Sequence, residues 1–170
     1  MPSPKRFFPL EYNSFRLPGN PLAESFPFVI RECGYCQERK LVLGTTNNFN
    51  QYLLLYSLEY IQPHTVVTTA CNTTLTFTRV TKEWKFYYFI IDGSHAKLFY
   101  NMIRTQNNLI LSNPFSAVLD AFIELYNITS NIGSEEKSGA WNYMHINQQL
   151  QTIFTALYDI SYDIAEIKEL

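Results

Sequence analysis

Short apolar segments rich in β-branched and aromatic residues dominate the first half of the chain. Five of them are predicted to be β-strands: residues 26–30, 40–45, 65–70, 74–80 and 84–91. The first two flank the polar stretch "RECGYCQER", which predicts a long hairpin with Gly34 and Tyr35 at its tip. The segment "WKFYYFII" is almost free of charge, which is typical of a central strand covered on both faces.

A helical pattern interrupts the predicted strands once. In "FNQYLLLYSLEYI", residues 49–61, apolar side chains follow one another at three- and four-residue intervals. Asn47 and Asn48 precede this segment and suit a helix N-cap, and Pro63 follows it and would end a helix. The spacing therefore predicts a first helix over residues 49–61.

Three further helices are predicted in the second half. Asp92-Gly93-Ser94 should end the last strand and cap the first of them. Its apolar side is predicted to consist of Leu98, Phe99, Met102, Ile103, Leu109 and Ile110. Asn113 and Pro114 suit the start of the next helix, and a polar loop over residues 132–140 precedes a final helix that runs nearly to the end.

The predicted order β-β-α-β-β-β-α-α-α indicates an α+β fold. We expect a five-stranded antiparallel sheet sandwiched by helices, with an extra C-terminal helix. Residues 1–25 hold five of the eight prolines, so they are predicted to form an irregular arm ahead of a single domain over residues 26–170. The aromatic side chains of this arm could pack on the domain or on a neighbouring protein.

The low content of charged residues and the small net charge bear on which kinds of partner are expected. Charged residues are 16% of the chain, against roughly 25% in typical soluble domains, and the net charge is −2. There is no basic field that would hold a nucleic acid or an anionic membrane. From Leu41 to Thr78 the only charged residue is Glu59. Charge depletion marks the centres of protein–protein interfaces, so part of this segment is a candidate partner surface unless Thr, Asn and Tyr simply solvate it.

The sequence shows no transmembrane segment and no signal peptide, so an intracellular protein is expected. No run of about 20 apolar residues exists, so no transmembrane helix is expected. Prolines interrupt any apolar core of a signal peptide near the N-terminus. The three cysteines are an odd number, which favours reduced thiols in the cytosol over a disulfide framework.

The motif Cys33-Gly34-Tyr35-Cys36 is the main candidate for chemistry. A thioredoxin-like site needs a long helix after the second cysteine, and "QERKLVLGTT" is a poor helix. A structural zinc site needs four ligands, and only Cys71 and His64 could complete one, at a spacing that matches no common zinc pattern. Small, partly buried cysteines beside a flexible glycine are therefore favoured, and a redox or zinc protein remains the alternative.

Catalytic arrangements are otherwise lacking in the sequence. The chain has no Gly-x-Ser-x-Gly motif and no phosphate-binding glycine loop. Its histidines, His64, His95 and His145, lie in three different predicted segments. We therefore expect no catalytic residue, no metal and no cofactor, and a protein that is not an enzyme.

Residues 48–115 carry a family resemblance. The segment contains "NFNQYLLLYSLEYIQ" and "KFYYFIIDGSHAKLFYNMIRTQNNLILSNPF". It resembles the small longin-like (SNARE-like) subunits of the TRAPP tethering complex, the sedlin group. The features that carry the likeness are Asn50-Gln51 in the first predicted helix, the strand from Lys85-Phe86 to Asp92, and Asn113-Pro114-Phe115.

The resemblance implies a non-catalytic scaffold for vesicle-mediated transport. Such a subunit would be cytoplasmic and peripheral at ER–Golgi membranes, and it would bind other protein subunits of a hetero-oligomeric complex through its sheet edge and first helix. The alternative is an interaction subunit of another large assembly. The partner-binding residues predicted in the first helix and the arm are Tyr52, Leu55, Tyr56, Tyr60, Phe7, Phe8 and Phe15.

Overall fold

The computed structural model of the chain describes ten stretches of residues: 12–17, 19–38, 40–43, 51–58, 65–70, 75–78, 84–103, 109–112, 116–134 and 139–169. The strands within them are β1 (Asn13–Arg16), β2 (Val29–Glu38), β3 (Lys40–Leu43), β4 (Tyr52–Ser57), β5 (Thr65–Ala70), β6 (Leu75–Thr78), β7 (Trp84–Asp92) and β8 (Leu109–Ser112). The helices are α1 (Pro21–Glu24), α2 (Ser94–Ile103), α3 (Ser116–Ser134) and α4 (Ala140–Glu169).

The main sheet has six strands in the order β1-β2-β7-β4-β5-β8, and all neighbours are antiparallel. A separate two-stranded ladder joins β3 and β6. Strand β7 lies between β2 and β4, as its almost uncharged sequence predicted, and its residues 86–91 are all buried. The α+β class is confirmed. The sheet of the described residues has six strands rather than the expected five, because β1, β4 and β8 join it while β3 and β6 pair separately.

Helices cover one face of the sheet. Helix α3 packs against β2, α2 packs against β7 and β4, and α4 packs against both α2 and α3. The aromatic rings of Phe28, Phe99 and Phe154 meet in this layer with centroids 5.6 to 6.0 Å apart. Stacked rings at these separations stabilise the fold beyond the free energy of apolar burial, so they hold the start of β2 against α2 and α4.

The opposite face of the sheet is apolar and buried as well. Its buried side chains are Cys36, Leu53, Leu55, Val67, Phe86, Tyr88 and Ile90. Successive residues of a strand point to opposite faces, so strands buried on both sides need apolar residues at every position. This requirement explains the continuous apolar runs of β4 and β7.

The predicted first helix over residues 49–61 is wrong, because Tyr52–Ser57 forms strand β4. Leu53 to Tyr56 form an unbroken apolar run, and such a run satisfies helical spacing and a doubly buried strand equally well. Tertiary pairing decides between them: β4 pairs with β5 along one edge and with β7 along the other. The flanking positions 49–50 and 59–61 lie outside the described residues.

The predicted hairpin tip at Gly34-Tyr35 is also wrong. Strand β2 runs through both residues from Val29 to Glu38, paired with β1 on one side and β7 on the other. Gly34 lies opposite Tyr88, and a β-carbon added at Gly34 would collide with Cε1 of the Tyr88 ring. The glycine is therefore needed for close packing between strands and not for a turn.

Two other segments differ from their predictions. Helix α2 ends at Ile103, and Leu109–Ser112 forms edge strand β8 instead of continuing the helix. Helix α2 buries Ala96, Tyr100 and Ile103, whereas Leu98 and Met102 are exposed. The arm is not irregular throughout, since residues 13–16 form strand β1 and residues 21–24 form helix α1 with Asn20 as its N-cap.

Three further boundaries agree with the sequence pattern, whereas α3 extends to Ser134, into the predicted loop over residues 132–140, and β2 begins at Val29 instead of residue 26. Strand β5 covers residues 65–70, β7 ends at Asp92, and α4 begins at Ala140. Gly93 between β7 and α2 has a φ of +109°, which favours glycine, and an added β-carbon would collide with the Pro27 carbonyl oxygen. Helix α3 begins at Ser116, while Asn113 and Pro114 lie outside the described residues.

Candidate interaction surface

The first half of α4 has two different faces. The buried face consists of Tyr143, Ile146, Leu150, Ile153, Phe154 and Leu157. The opposite face is exposed and is called here the α4 outer face; its residues are Trp141, Met144, Gln148, Gln151, Thr152 and Thr155. Trp141 is 63% exposed and Met144 is 60% exposed, the two largest values among the exposed large apolar side chains of the described residues.

The α4 outer face contains no Asp, Glu, Lys or Arg. Positions 140–155, "AWNYMHINQQLQTIFT", contain no Asp, Glu, Lys or Arg, where average composition would place about four. A solvated helix face normally has charged residues opposite its apolar stripe. Interface centres show the reverse composition, with Trp and Met enriched and charged residues depleted. This face therefore has the composition of an interface.

One hydroxyl group on this face already has a hydrogen-bond partner within the helix. The Thr152 hydroxyl donates to the Gln148 carbonyl oxygen at 3.0 Å, so it keeps a partner when water is removed. The ring of His145, one turn from Trp141, lies 4.0 Å from the indole between centroids. Residues 141–155 extend about 21 Å along the helix axis at 1.5 Å per residue.

Asn147 fixes the first half of α4 against the sheet. Its Oδ1 accepts from the Phe28 backbone N–H at 2.7 Å, and its Nδ2 donates to the Phe28 carbonyl oxygen at 3.2 Å. The Asn147 amide thus pairs with the backbone groups of Phe28 as a neighbouring strand would. Phe28 is 2% exposed, so these groups would otherwise be buried without a partner. Nearby, Asn20 Nδ2 donates to the Tyr143 hydroxyl at 2.7 Å, which attaches α1 to the same helix.

An ion network holds the adjoining turn. Arg31 donates to Asp92 Oδ2 at 3.1 and 3.2 Å and also pairs with both carboxylate oxygens of Glu24. The hydrogen bond from Arg31 lowers the pKa of Glu24 below its usual value. The His95 backbone N–H donates to the Pro27 carbonyl oxygen at 3.1 Å. Together these contacts hold residues 24–31 against the end of β7 and the start of α2.

Three of the four partner-binding residues predicted in the first helix do not lie at the surface. Tyr52, Leu55 and Tyr56 are side chains of β4 and are 5%, 0% and 1% exposed. Phe15 of β1 is partly buried and packs on the core, with its ring centroid 6.3 Å from that of Tyr126. Phe7, Phe8 and Tyr60 lie outside the described residues, so their predicted role remains a prediction.

The described strands within Leu41–Thr78 show why this segment contains so few charged residues. All of β4 is buried, and Val66 to Thr68 of β5 are buried too. Charged side chains are disfavoured there because burial would remove their hydration. In these two strands the depletion of charge marks the core and not a partner surface.

The two cysteines of the central motif cannot act together as a two-sulfur site. Cys33 packs on the helix-covered face of the sheet, and Cys36 packs on the opposite face. Three positions along a strand always separate side chains in this way. Burial also raises the pKa of the Cys33 thiol to about 11, which keeps it protonated at neutral pH. Among the described residues no three His, Cys, Asp or Glu side chains form a potential metal site, and Cys71 and His64 lie outside them.

The α4 outer face was detectable in the sequence but was not predicted. Its signal is the run of sixteen positions without charge inside a segment that already has helical spacing. The longer charge-poor segment before Thr78 is the more conspicuous one, yet its described strands are buried. In α4 the apolar stripe already accounts for the buried positions, so the other uncharged positions of this stretch lie at the surface.

The sequence matches no protein-family model and no curated protein. In the part of the chain that the structure describes, none of the helices combines the length and the apolar character needed to cross a membrane.

Proposed function

We propose that this chain is a non-catalytic subunit that binds other polypeptides, and that the α4 outer face is its docking surface. The observation that carries the proposal is the exposure of Trp141 and Met144, at 63% and 60%, inside a helical segment without any charged residue. Exposed aromatic and Met side chains surrounded by uncharged polar groups provide binding energy on contact, and no ion has to be desolvated.

A membrane-tethering complex of the TRAPP type is the specific assembly that we propose. The support for it is the strand from Lys85 to Asp92 and the Asn113-Pro114-Phe115 segment, together with an α+β fold whose helices pack on an antiparallel sheet. The longin-like arrangement expected from the resemblance included a first helix where the structure has β4. The binding role assigned to that helix therefore moves, in this proposal, to α4.

Substitution of the two exposed apolar residues tests the docking surface. In affinity purification from the native cells followed by mass spectrometry, Met144→Lys and Trp141→Glu should reduce partner recovery at least about tenfold. A charge placed in the centre of an apolar interface costs about 2 kcal/mol or more, which corresponds to roughly 30-fold in affinity.

The matched control is Glu124→Lys, which changes charge at an exposed position of α3. It should leave partner recovery unchanged, and circular dichroism should show the same fold for all variants. Equal recovery with Met144→Lys and wild type would remove the α4 outer face from the proposal. The identities of the recovered proteins decide between a tethering complex and another assembly.

A further inference from the structure

We propose that the α4 outer face binds a second copy of this chain, with the two α4 helices antiparallel and the two-fold axis at Gln148. The choice of surface rests on the proposed function; the choice of partner rests on the sequence of the face itself. In an isologous dimer each residue meets the residue related to it by the two-fold axis, so the face must be complementary to itself.

Charge is the first requirement that the face meets. When a surface binds its own copy, each charged side chain near the two-fold axis lies close to the same charge on the second copy. Bringing like charges together in this way is costly. The outer side of α3 exposes Asp120 and Glu124, one turn apart, and would repel its copy. The α4 outer face has no ion from Ala140 to Thr155 and therefore has no such repulsion.

Side-chain size is the second requirement. An antiparallel pair centred on Gln148 places Trp141 opposite Thr155 of the second copy and Met144 opposite Thr152. Each large side chain therefore meets a small one, which allows the two helices to pack closely along the whole segment. The same symmetry places the Gln148 side chains opposite each other at the axis.

Hydrogen bonding is the third requirement. A glutamine amide has both donors and an acceptor, so two Gln148 side chains can bond reciprocally across the axis. The Thr152 hydroxyl already donates to the Gln148 carbonyl oxygen in its own helix, so burial in the pair leaves it satisfied. Uncharged polar groups at the axis thus fix the register without the cost of burying a charge.

The size of the face sets the strength of the pair. A length of about 21 Å and a width of about 10–12 Å give each helix roughly 200–250 Å² of projected contact face. Standard stable interfaces bury about 800 Å² per partner, so α4 against α4 makes a weak, reversible dimer. Association should therefore increase with protein concentration rather than be complete at all concentrations.

Charge exchange at the axis gives a specific test. Sedimentation equilibrium of the purified full chain over a range of concentrations should show a monomer–dimer equilibrium. Gln148→Glu and Gln148→Lys should each raise the dimer dissociation constant at least about tenfold, since each puts two like charges face to face. An equimolar mixture of the two variants should dimerise at least as well as wild type, because opposite charges then meet at the axis.

Glu124→Lys is the control and should dimerise as wild type does. A wild-type chain that stays monomeric, a Gln148→Glu variant that dimerises normally, or a mixture without rescue would each overturn the inference. If dimerisation fails these tests while Met144→Lys still loses its co-purifying proteins, the proposed function stands without the second copy. If the dimer behaves as expected while Met144→Lys keeps every partner protein, the self-association stands and the α4 outer face is not where those other proteins bind.

Discussion

Replacing Gly34 by alanine should destabilise the protein, although alanine is normally the better residue inside a strand. Gly34 lies in the middle of β2 and pairs with Tyr88 of β7 and with Ser14 of β1. A β-carbon at this position would collide with the Tyr88 ring and would lie 2.9 Å from the Ser14 hydroxyl and 3.1 Å from the Asn13 carbonyl oxygen. Tyr88 is 5% exposed, so its ring has little free space into which to move.

The expected size of the effect follows from two opposing contributions. Alanine gains about 0.5–1 kcal/mol over glycine in a strand because it loses less conformational entropy on folding. Overpacking of a filled site costs about 1–3 kcal/mol. The net loss should be about 1–2 kcal/mol in the free energy of unfolding, or about 2–8 °C in the melting temperature of a chain of this size.

Urea denaturation of four proteins measures this loss and its cause: wild type, Gly34→Ala, Tyr88→Leu and the double variant. Leucine has no atom at the ring position that the new methyl would meet, so Gly34→Ala should cost less in the Tyr88→Leu background, where only the contacts with Ser14 and Asn13 remain. Coupling between the two positions should be about 1 kcal/mol or more. Gly139→Ala is the matched control, because an added β-carbon there has no neighbour within 4 Å, and its effect on stability should be the same in both Tyr88 backgrounds.

A Gly34→Ala variant at least as stable as wild type would refute the close packing of β2 on Tyr88. An equal cost of the substitution in both Tyr88 backgrounds would refute it too, since the ring would then not be the cause. A glycine at a loop tip, as the sequence suggested, would predict the second of these results, because a tight turn disfavours alanine whichever residue is present at position 88.

Two further predictions concern the start of β2 and the buried thiol. Asn147→Ala should lower the free energy of unfolding by about 1–3 kcal/mol, because the buried Phe28 N–H and carbonyl groups lose their partner. Chemical denaturation measures this loss, and Gln151→Ala is the control at an exposed position. An unchanged denaturation midpoint in Asn147→Ala would contradict the role of Asn147 in holding Phe28. Cys33 has its pKa raised to about 11 by burial, so its contribution is complete below pH 9 and about 2–3 kcal/mol is lost as the pH rises from 9 to 11. Burial also raises the pKa of Tyr52, Tyr87, Tyr88 and Tyr126, so both wild type and Cys33→Val should lose stability between pH 7.5 and 10.5. The loss measured by denaturation should be about 2 kcal/mol larger in wild type than in Cys33→Val. Equal losses in the two proteins, or rapid labelling of Cys33 by a thiol reagent in the native protein at neutral pH, would contradict the prediction.

Local sequence predicted the elements whose patterns admit one interpretation. The β-branched run of β5, the aromatic run of β7 and the long stripe of α4 each lie where the periodicity placed them. Strand β4 was missed because consecutive apolar residues fit a helix and a doubly covered strand alike. Only its pairing with β7, far along the chain, distinguishes the two.

The role of Gly34 could not be inferred from its neighbours in sequence. Glycine beside polar residues usually indicates a turn, and the ring that requires it belongs to Tyr88 on another strand. Similarly, the separation of Cys33 from Cys36 follows from the strand conformation and not from the spacing of the motif. Errors about this motif therefore share one cause, which is the incorrect assignment of its secondary structure.

The candidate surface depends on combining two signals. Charge depletion before Thr78 is visible in the sequence, but in β4 and β5 it results from burial. The same signal over residues 140–155 indicates a surface, since the helical stripe of α4 already accounts for the core positions. Composition alone could not separate these two cases.

The place of β7 has a consequence for the order of assembly. Strands β1 and β2 can pair as soon as both are synthesised, and so can β4 and β5, because each pair is close in sequence. The two pairs have no common ladder until β7 inserts between β2 and β4. Such long-range pairing is slow because chain entropy is lost before the contacts form. Two-stranded pairs are at best marginally stable alone in water, so we expect the sheet to become stable only after residues 84–92 have been synthesised and β7 has joined the two pairs.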